Sequence, residues 1–223
     1  MQKEINDAGE ARLEDIPTRD RRWIGKEMRR LEDPELVTGR TEFIDNLSLA
    51  GMLHGAILHS THAHARIRRI DTRRAEQLAG VSAVITGDDV RRWSHVSSGY
   101  PEGTGLYCLA TDKVHYVGEP VAAVAASSRY IAEDALELIE VEYEPLEAVV
   151  DTLAAMRPDS PRVNETLPSN TVFQRKFTWG EVDQAFAGAD HVFRESFRWN
   201  RVGANPIETF GCICQWDCLG NAV

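Results

Sequence analysis

The chain has 223 residues, 43% apolar and 8% aromatic, enough for one or two domains with an ordinary core. Its 25 Lys and Arg against 35 Asp and Glu leave a formal charge of −10, which excludes general electrostatic binding to a phosphate backbone. No apolar run approaches the roughly 20 residues that cross a bilayer, and the charged N-terminus is unlike an export signal.

Residues 1–20 mix charged and small polar groups without a period and are expected to be a disordered tail. From Trp23 onward short β-type runs alternate with helical ones. Met52–His59 and Arg66–Ile70 read as strands, and Asp71 then caps a helix over Thr72–Ala79 that Gly80 closes. Val81–Thr86 is a continuous apolar strand, and Thr86 with Asp89 forms a capping box for a helix through Val90. Val114–Val117 and Val121–Ala126 are two further strands, interrupted by Gly118 and Pro120. The clearest helix follows, capped by Ser127 or Ser128, with Ile131, Ala135, Leu138 and Ile139 on one face. It leads into the strand Glu140–Glu144. Short, unevenly spaced strands predict an α+β fold rather than a doubly wound sheet.

Pro158, Pro161 and Pro168 mark 152–170 as a linker. Beyond it, Glu181–Ala189 reads as a helix with Val182, Ala185, Phe186 and Ala189 on one face. His191–Trp199 and Thr209–Trp216 alternate as strands, the second with Phe210, Cys212, Cys214 and Trp216 on one face. It runs into a turn at Leu219–Asn221, so the final domain is expected to be incomplete.

Candidate chemistry is sparse. His54, His59, His62 and His64 crowd together, but no Cys, Asp or Glu lies within that interval to complete a metal site. Cys212, Cys214 and Cys218 offer soft ligands, but their shared face with Phe210 and Trp216 favours core packing. No metal site is expected. Four Cys make no disulfide framework, and a reducing cytoplasm is the default location. Eight carboxylates between Glu133 and Asp151 read as a solvated face. The basic cluster Arg66, Arg68, Arg69, Arg73 and Arg74 reads as a solvated helix entrance, with docking of an acidic partner as the alternative. Gly99, Gly103 and Gly105 lack the spacing of a nucleotide loop.

Ile24-Gly25, Arg30-x-Glu32-Asp33-Pro34, Thr38-Gly39-Arg40, Asp45-Asn46-Leu47 and above all Ser60-Thr61-His62-Ala63-His64-Ala65-Arg66-Ile67 stand in an order that carries a resemblance. It continues through Gly80-Val81, Val84-Ile85-Thr86, Asp112-Lys113-Val114, Val117-Gly118-Glu119-Pro120-Val121-Ala122 and the helix and strand of Ala132–Asp151. Over about 200 residues in order, the sequence resembles the start of the large, molybdenum-binding subunit of the xanthine oxidase family of molybdenum hydroxylases. The resemblance implies an α/β hammerhead domain over 21–151, a linker over 152–170 and the start of a molybdopterin-binding domain over 171–223.

Trp179-Gly180-Glu181-Val182-Asp183 and Pro206-Ile207-Glu208-Thr209 are similar to the opening of that second domain. Arg129-Tyr130 and Pro206–Thr209 are nearest the carbon monoxide dehydrogenase-like branch, although Gly203-Ala204-Asn205 stands where family members often have a His. The resemblance implies hydroxylation or oxidation of a small carbonyl, carbon monoxide or a heterocycle. It also implies a molybdopterin-type cofactor held only in the assembled complex, and an iron–sulfur subunit and a flavin (FAD) subunit as companions. A second chain carrying the rest of the molybdenum-binding subunit is expected, and the alternative is a non-catalytic docking or assembly module. No catalytic residue is expected here. Glu208 is the single weak candidate, with a structural role at the turn favoured over chemistry.

Overall fold

A computed structural model describes residues 24–97, 104–200 and 202–216. The expected tail, the Leu219–Asn221 turn, Cys218, Gly99 and Gly103 lie outside the described residues. The chain divides into two compact units, Leu49–Arg198 and the residues on either side of that span.

The larger unit holds two antiparallel sheets of three strands each. The first has the order β1-β5-β3, from β1 (His54–His59), β3 (Val81–Thr86) and β5 (Pro120–Ala126). Strand β5 is central, and its Val121, Ala122, Val124 and Ala126 are buried, with Ala123 and Ala125 half-buried, because both its edges are paired and one face is covered by helices. Helix α2 (Arg73–Glu76) and helix α4 (Arg129–Leu136) cover this sheet, packing Ala75, Ala132 and Ala135 with Ala122, Val124, Ala126 and Ile139. Small side chains on both surfaces allow helix and strand to approach closely, so no larger residue is needed to fill the layer. Ser128 caps α4 by accepting a hydrogen bond from Ile131 N at 3.3 Å.

The second sheet has the order β4-β2-β6, from β2 (Ala65–Asp71), β4 (Lys113–Val114) and β6 (Glu140–Pro145). Ala65, Ala110, Val114 and Val121 form a second core, flanked by Ile67, Ile70, Val141 and Tyr143. Helix α3 (Gly87–Trp93) begins with the expected Thr86–Asp89 capping box but continues past Val90 to Trp93. Gly87 sits where a Cβ would come 2.2 Å from the Ala110 carbonyl oxygen, so the start of α3 lies directly against that loop.

Several elements differ from their expected extents. The helix after Asp71 is a single turn, Arg73–Glu76, with the Asp71 carboxylate accepting from Arg73 N and the Arg73 guanidinium at its start. Gly80 still provides the expected left-handed residue, at φ 94°. Strand β4 stops at Val114 because the chain turns over Tyr116–Glu119, with Gly118 at φ 90°. Within 152–170, Asp151 caps a short helix α5 (Thr152–Ala155) through Leu153 N and Ala154 N.

Helix α6 (Val182–Ala187) forms within its expected range. Among the described residues His191–Trp199 and Thr209–Trp216, in contrast, are not ladder strands, and Trp216 alone makes an isolated bridge. Alternation alone does not make a strand where no neighbour takes up the backbone N–H and C=O groups. The expected packing of Cys212 and Cys214 with Phe210 and Trp216 is likewise not found, since all four side chains are exposed.

The smaller unit contains α1 (Asp33–Thr38), ended by Gly39 in the left-handed region at φ 67°, and a 3-10 turn at Ile44–Asn46. Gly211 packs against Ile44, where a Cβ would meet Ile44 Cγ2 at 2.5 Å.

Candidate functional site

A polar cavity of about 320 Å3 opens beside β2 and β4. It is bounded by Arg66, Asp112, Lys113, His115, Glu119 and Glu165 among others. Strand β4 places Lys113 opposite Arg66 in the ladder, so two cations lie on neighbouring strands. Lys113 is only 8% exposed, and its ammonium donates to Val163 O at 2.6 Å and to Glu165 Oε2 at 2.7 Å. Arg66 reaches the other oxygen of the same carboxylate at 3.4 Å. Donation from Lys113 is the main reason that the Glu165 carboxyl is held below the usual carboxylate range.

At the other end of the cavity Glu119, 3% exposed, accepts from His115 N and lies 3.1 Å from His115 Nδ1. The turn is tied to β1 and its sequel through Ser60, whose N–H donates to Glu119 O and whose carbonyl accepts from Gly118 N, both at 2.8 Å. Burial pushes the Tyr143 phenol up, a hydrogen bond with Ser60 opposes this, and the Glu119 charge adds to it. His62 lies over Tyr143 with ring centroids 4.6 Å apart.

This arrangement is a clasp. Residues 163–165 are fastened to β4 by Lys113, and the approach to them is fixed by Asn170, which donates to Ala155 O and Pro161 O and accepts from Val163 N. Arg198 meets the same Asp151 that caps α5, at 3.2 Å. Sequence reasoning reached Lys113 and Glu119 only as parts of resembling motifs. It missed Glu165, whose partner Lys113 lies 52 positions away, and Asn170, whose partners Val163, Pro161 and Ala155 lie 7, 9 and 15 positions back, because neither spacing leaves a recognisable local pattern.

The other sequence candidates are dispersed. His64 is 7% exposed, with Nδ1 2.7 Å from Glu147 O and a buried Nε2 that has no hydrogen-bond partner. His62 Nδ1 contacts the Thr61 hydroxyl. Each arginine of the basic cluster is ion-paired in place: Arg66 with Glu165, Arg68 with Glu144, Arg69 and Arg73 with the single carboxylate of Asp71, and Arg74 with Glu140. Glu208 accepts from Ile44 N at 3.1 Å, at the start of the 3-10 turn. Among the described residues, no group of three or more His, Cys, Asp or Glu could hold a metal ion. No helix is long and apolar enough to cross a membrane among the described residues.

Two family models match the chain. Residues 38–147 match the aldehyde oxidase and xanthine dehydrogenase a/b hammerhead domain, and residues 163–222 match a molybdopterin cofactor-binding domain. The two-sheet hammerhead is followed by part of a molybdopterin-binding domain. The chain is 37% identical over 202 residues to the nicotine 6-hydroxylase large subunit of Paenarthrobacter nicotinovorans, a match covering 88% of this chain and 25% of that protein. It is 36% identical over 207 residues to the carbon monoxide dehydrogenase large chain of Afipia carboxidovorans, covering 87% and 26%.

Among solved structures, quinoline 2-oxidoreductase from Pseudomonas putida 86 matches with TM-score 0.77 and 42% identity over 89% of this chain and 26% of that one. The chain belongs to the xanthine oxidase family of molybdenum hydroxylases. It spans about a quarter of the length of the curated relatives it matches.

The described residues do not themselves make a cradle for the family's cofactor. No buried polar atom lacking a hydrogen-bond partner lies among the described residues after 162, where the cofactor-domain model matches. The charges around the cavity are also already paired with one another. The chemistry available to the clasp is therefore positioning: it fastens the start of the second matched segment, at Val163 and Glu165, to strand β4.

Proposed function

We propose that this chain supplies the hammerhead portion, and the first part of the cofactor-binding portion, of the large subunit of a molybdenum-dependent hydroxylase or dehydrogenase. The hammerhead takes 21–151, a tethered crossing takes 152–170, and the cofactor-binding portion begins at 171. A molybdopterin-type cofactor is held once a second chain carrying the rest of the subunit is in place, and supplies the oxidation chemistry when bound. Iron–sulfur and FAD-containing companion subunits carry the electrons away, and the assembly works in the cytoplasm. The substrate is a small carbonyl, carbon monoxide or a heterocycle, in keeping with relatives named for nicotine, quinoline and carbon monoxide.

One observation carries the need for the remaining part. Phe173, Phe177, Trp179, Phe193, Phe197 and Trp199 are all largely exposed. So dense a run of aromatic surface marks an interface, since aromatic rings gain most from burial. The clasp at Lys113 and Glu165 serves this reading by fixing where that aromatic segment leaves the hammerhead. The Arg66–Arg74 surface gives less support to a separate docking module, because each of its arginines already meets a carboxylate of the chain itself.

Native mass spectrometry with metal analysis, on the tagged chain purified gently from its own host, tests the proposal. The expected result is a complex with a larger chain, iron–sulfur and flavin subunits and stoichiometric molybdenum. Recovery of the chain alone and free of metal overturns it.

A further inference from the structure

We propose that Cys212 and Cys214 form a reversible thiol–disulfide site that reacts with small disulfides such as oxidised glutathione. The inference is independent of the function proposed above, since it rests on the smaller unit alone. The two Sγ atoms lie 3.4 Å apart and both side chains are exposed. A disulfide needs them at about 2.05 Å, with Cα atoms about 4.4–6.8 Å apart, a span that two residues of chain readily provide.

The backbone from Gly211 to Gln215 belongs to no strand ladder, so it can turn to bring the sulfurs together without breaking sheet hydrogen bonds. A fully extended ladder strand would hold the sulfurs of residues two apart side by side on one face. The irregular backbone instead leaves them already near contact. Gly211 is packed on Ile44, which fixes the segment on one side while the thiols stay open. A metal is the competing occupant of paired thiols, but among the described residues no third ligand joins them.

In the reaction, the Cys214 thiolate attacks one sulfur of oxidised glutathione and releases the first glutathione thiolate. The Cys212 thiolate then attacks the mixed disulfide at the Cys214 sulfur and releases the second. Two protons pass from the cysteines to the two departing thiolates. Two electrons pass from the cysteine pair to glutathione, which is reduced as the pair is oxidised. Contact with the Cys214 sulfur holds the Cys212 thiol above its ordinary range. An exposed disulfide of this kind is readily reduced again, which makes the site reversible.

The test uses the full chain, equilibrated in glutathione buffers stepped from reduced to oxidised, then alkylated and mapped by mass spectrometry without reduction. The expected result is that alkylation of Cys212 and Cys214 is lost together, with the peptide lighter by two hydrogens, and that a dithiol reductant restores it. Cys212→Ser and Cys214→Ser each hold a glutathione mixed disulfide instead. Cys218→Ser retains the internal disulfide and guards against a mistaken pairing. Continued alkylation of both thiols in the oxidised buffer, or a bond from either one to Cys218, overturns the proposal. Circular dichroism of each variant confirms that the chain remains folded.

Discussion

Lys113 carries a charge into a place where water scarcely reaches, and Glu165 with Val163 O meets it there. Replacing the carboxylate by an amide leaves the ammonium with neutral acceptors only and little solvent, so Glu165→Gln should destabilise the chain by about 1–2 kcal/mol at neutral pH. Half of the Glu165 side chain is exposed, and the lower part of that range is expected. Because its folded pKa is depressed, its contribution is present above the unfolded carboxylate value of about 4.3 and is lost as pH falls through the folded value. The gap in melting temperature between wild type and Glu165→Gln should therefore be widest near pH 7 and close below about pH 4. A gap that stays constant with pH would show that the pair does not act through its charge. Glu119 is more deeply placed, and Glu119→Ala strips the acceptor from both His115 N and His115 Nδ1. Urea unfolding should report a loss of about 2–3 kcal/mol, against near-neutral behaviour for exposed Glu137→Ala.

At the level of elements, the fold depends on close approaches that side chains of ordinary size would block. Gly87→Ala places a methyl against backbone atoms of Ala110 and Thr111, which cannot yield as a flexible side chain can. A cost of about 1–3 kcal/mol is expected, with proteolysis speeding up around 104–112 as α3 lifts from the loop. Ser128→Ala, which removes only the α4 cap, should cost about 1 kcal/mol in the same unfolding assay.

The elements legible in sequence were those whose signals are local. β3, β5, β6 and α4 follow from apolar runs, alternation and a capping serine. The segments 191–199 and 209–216 alternate just as clearly yet form no more than a single bridge at Trp216 among the described residues, because a strand is completed by its neighbour rather than by its own pattern. The clasp was illegible for a related reason. Lys113 stands in a recognisable motif, whereas Glu165 and Asn170 sit in a proline-marked stretch that composition describes only as a crossing, and nothing local to them names their partners.

For the whole molecule, the contrast between a well-packed hammerhead and the open aromatic segment after it defines how the chain should behave on its own. Phe173, Phe177, Trp179, Phe193 and Phe197 present a surface that favours self-association in the absence of a partner. The isolated chain is expected to bind an apolar reporter dye strongly and to elute as mixed oligomers. Co-expression with the remainder of a large subunit should suppress both, and an isolated chain that is monomeric and dye-silent would contradict the interface reading. The central place of β5 carries a further consequence, for the order of synthesis. Strands β1 and β3 are both made before β5, and each pairs with it rather than with the other. When a ribosome has released only as far as Gly118, both therefore wait with open edges around a gap that one later segment must fill. Translation speed across Pro120–Ala126 thus sets how long that gap is exposed to other nascent chains.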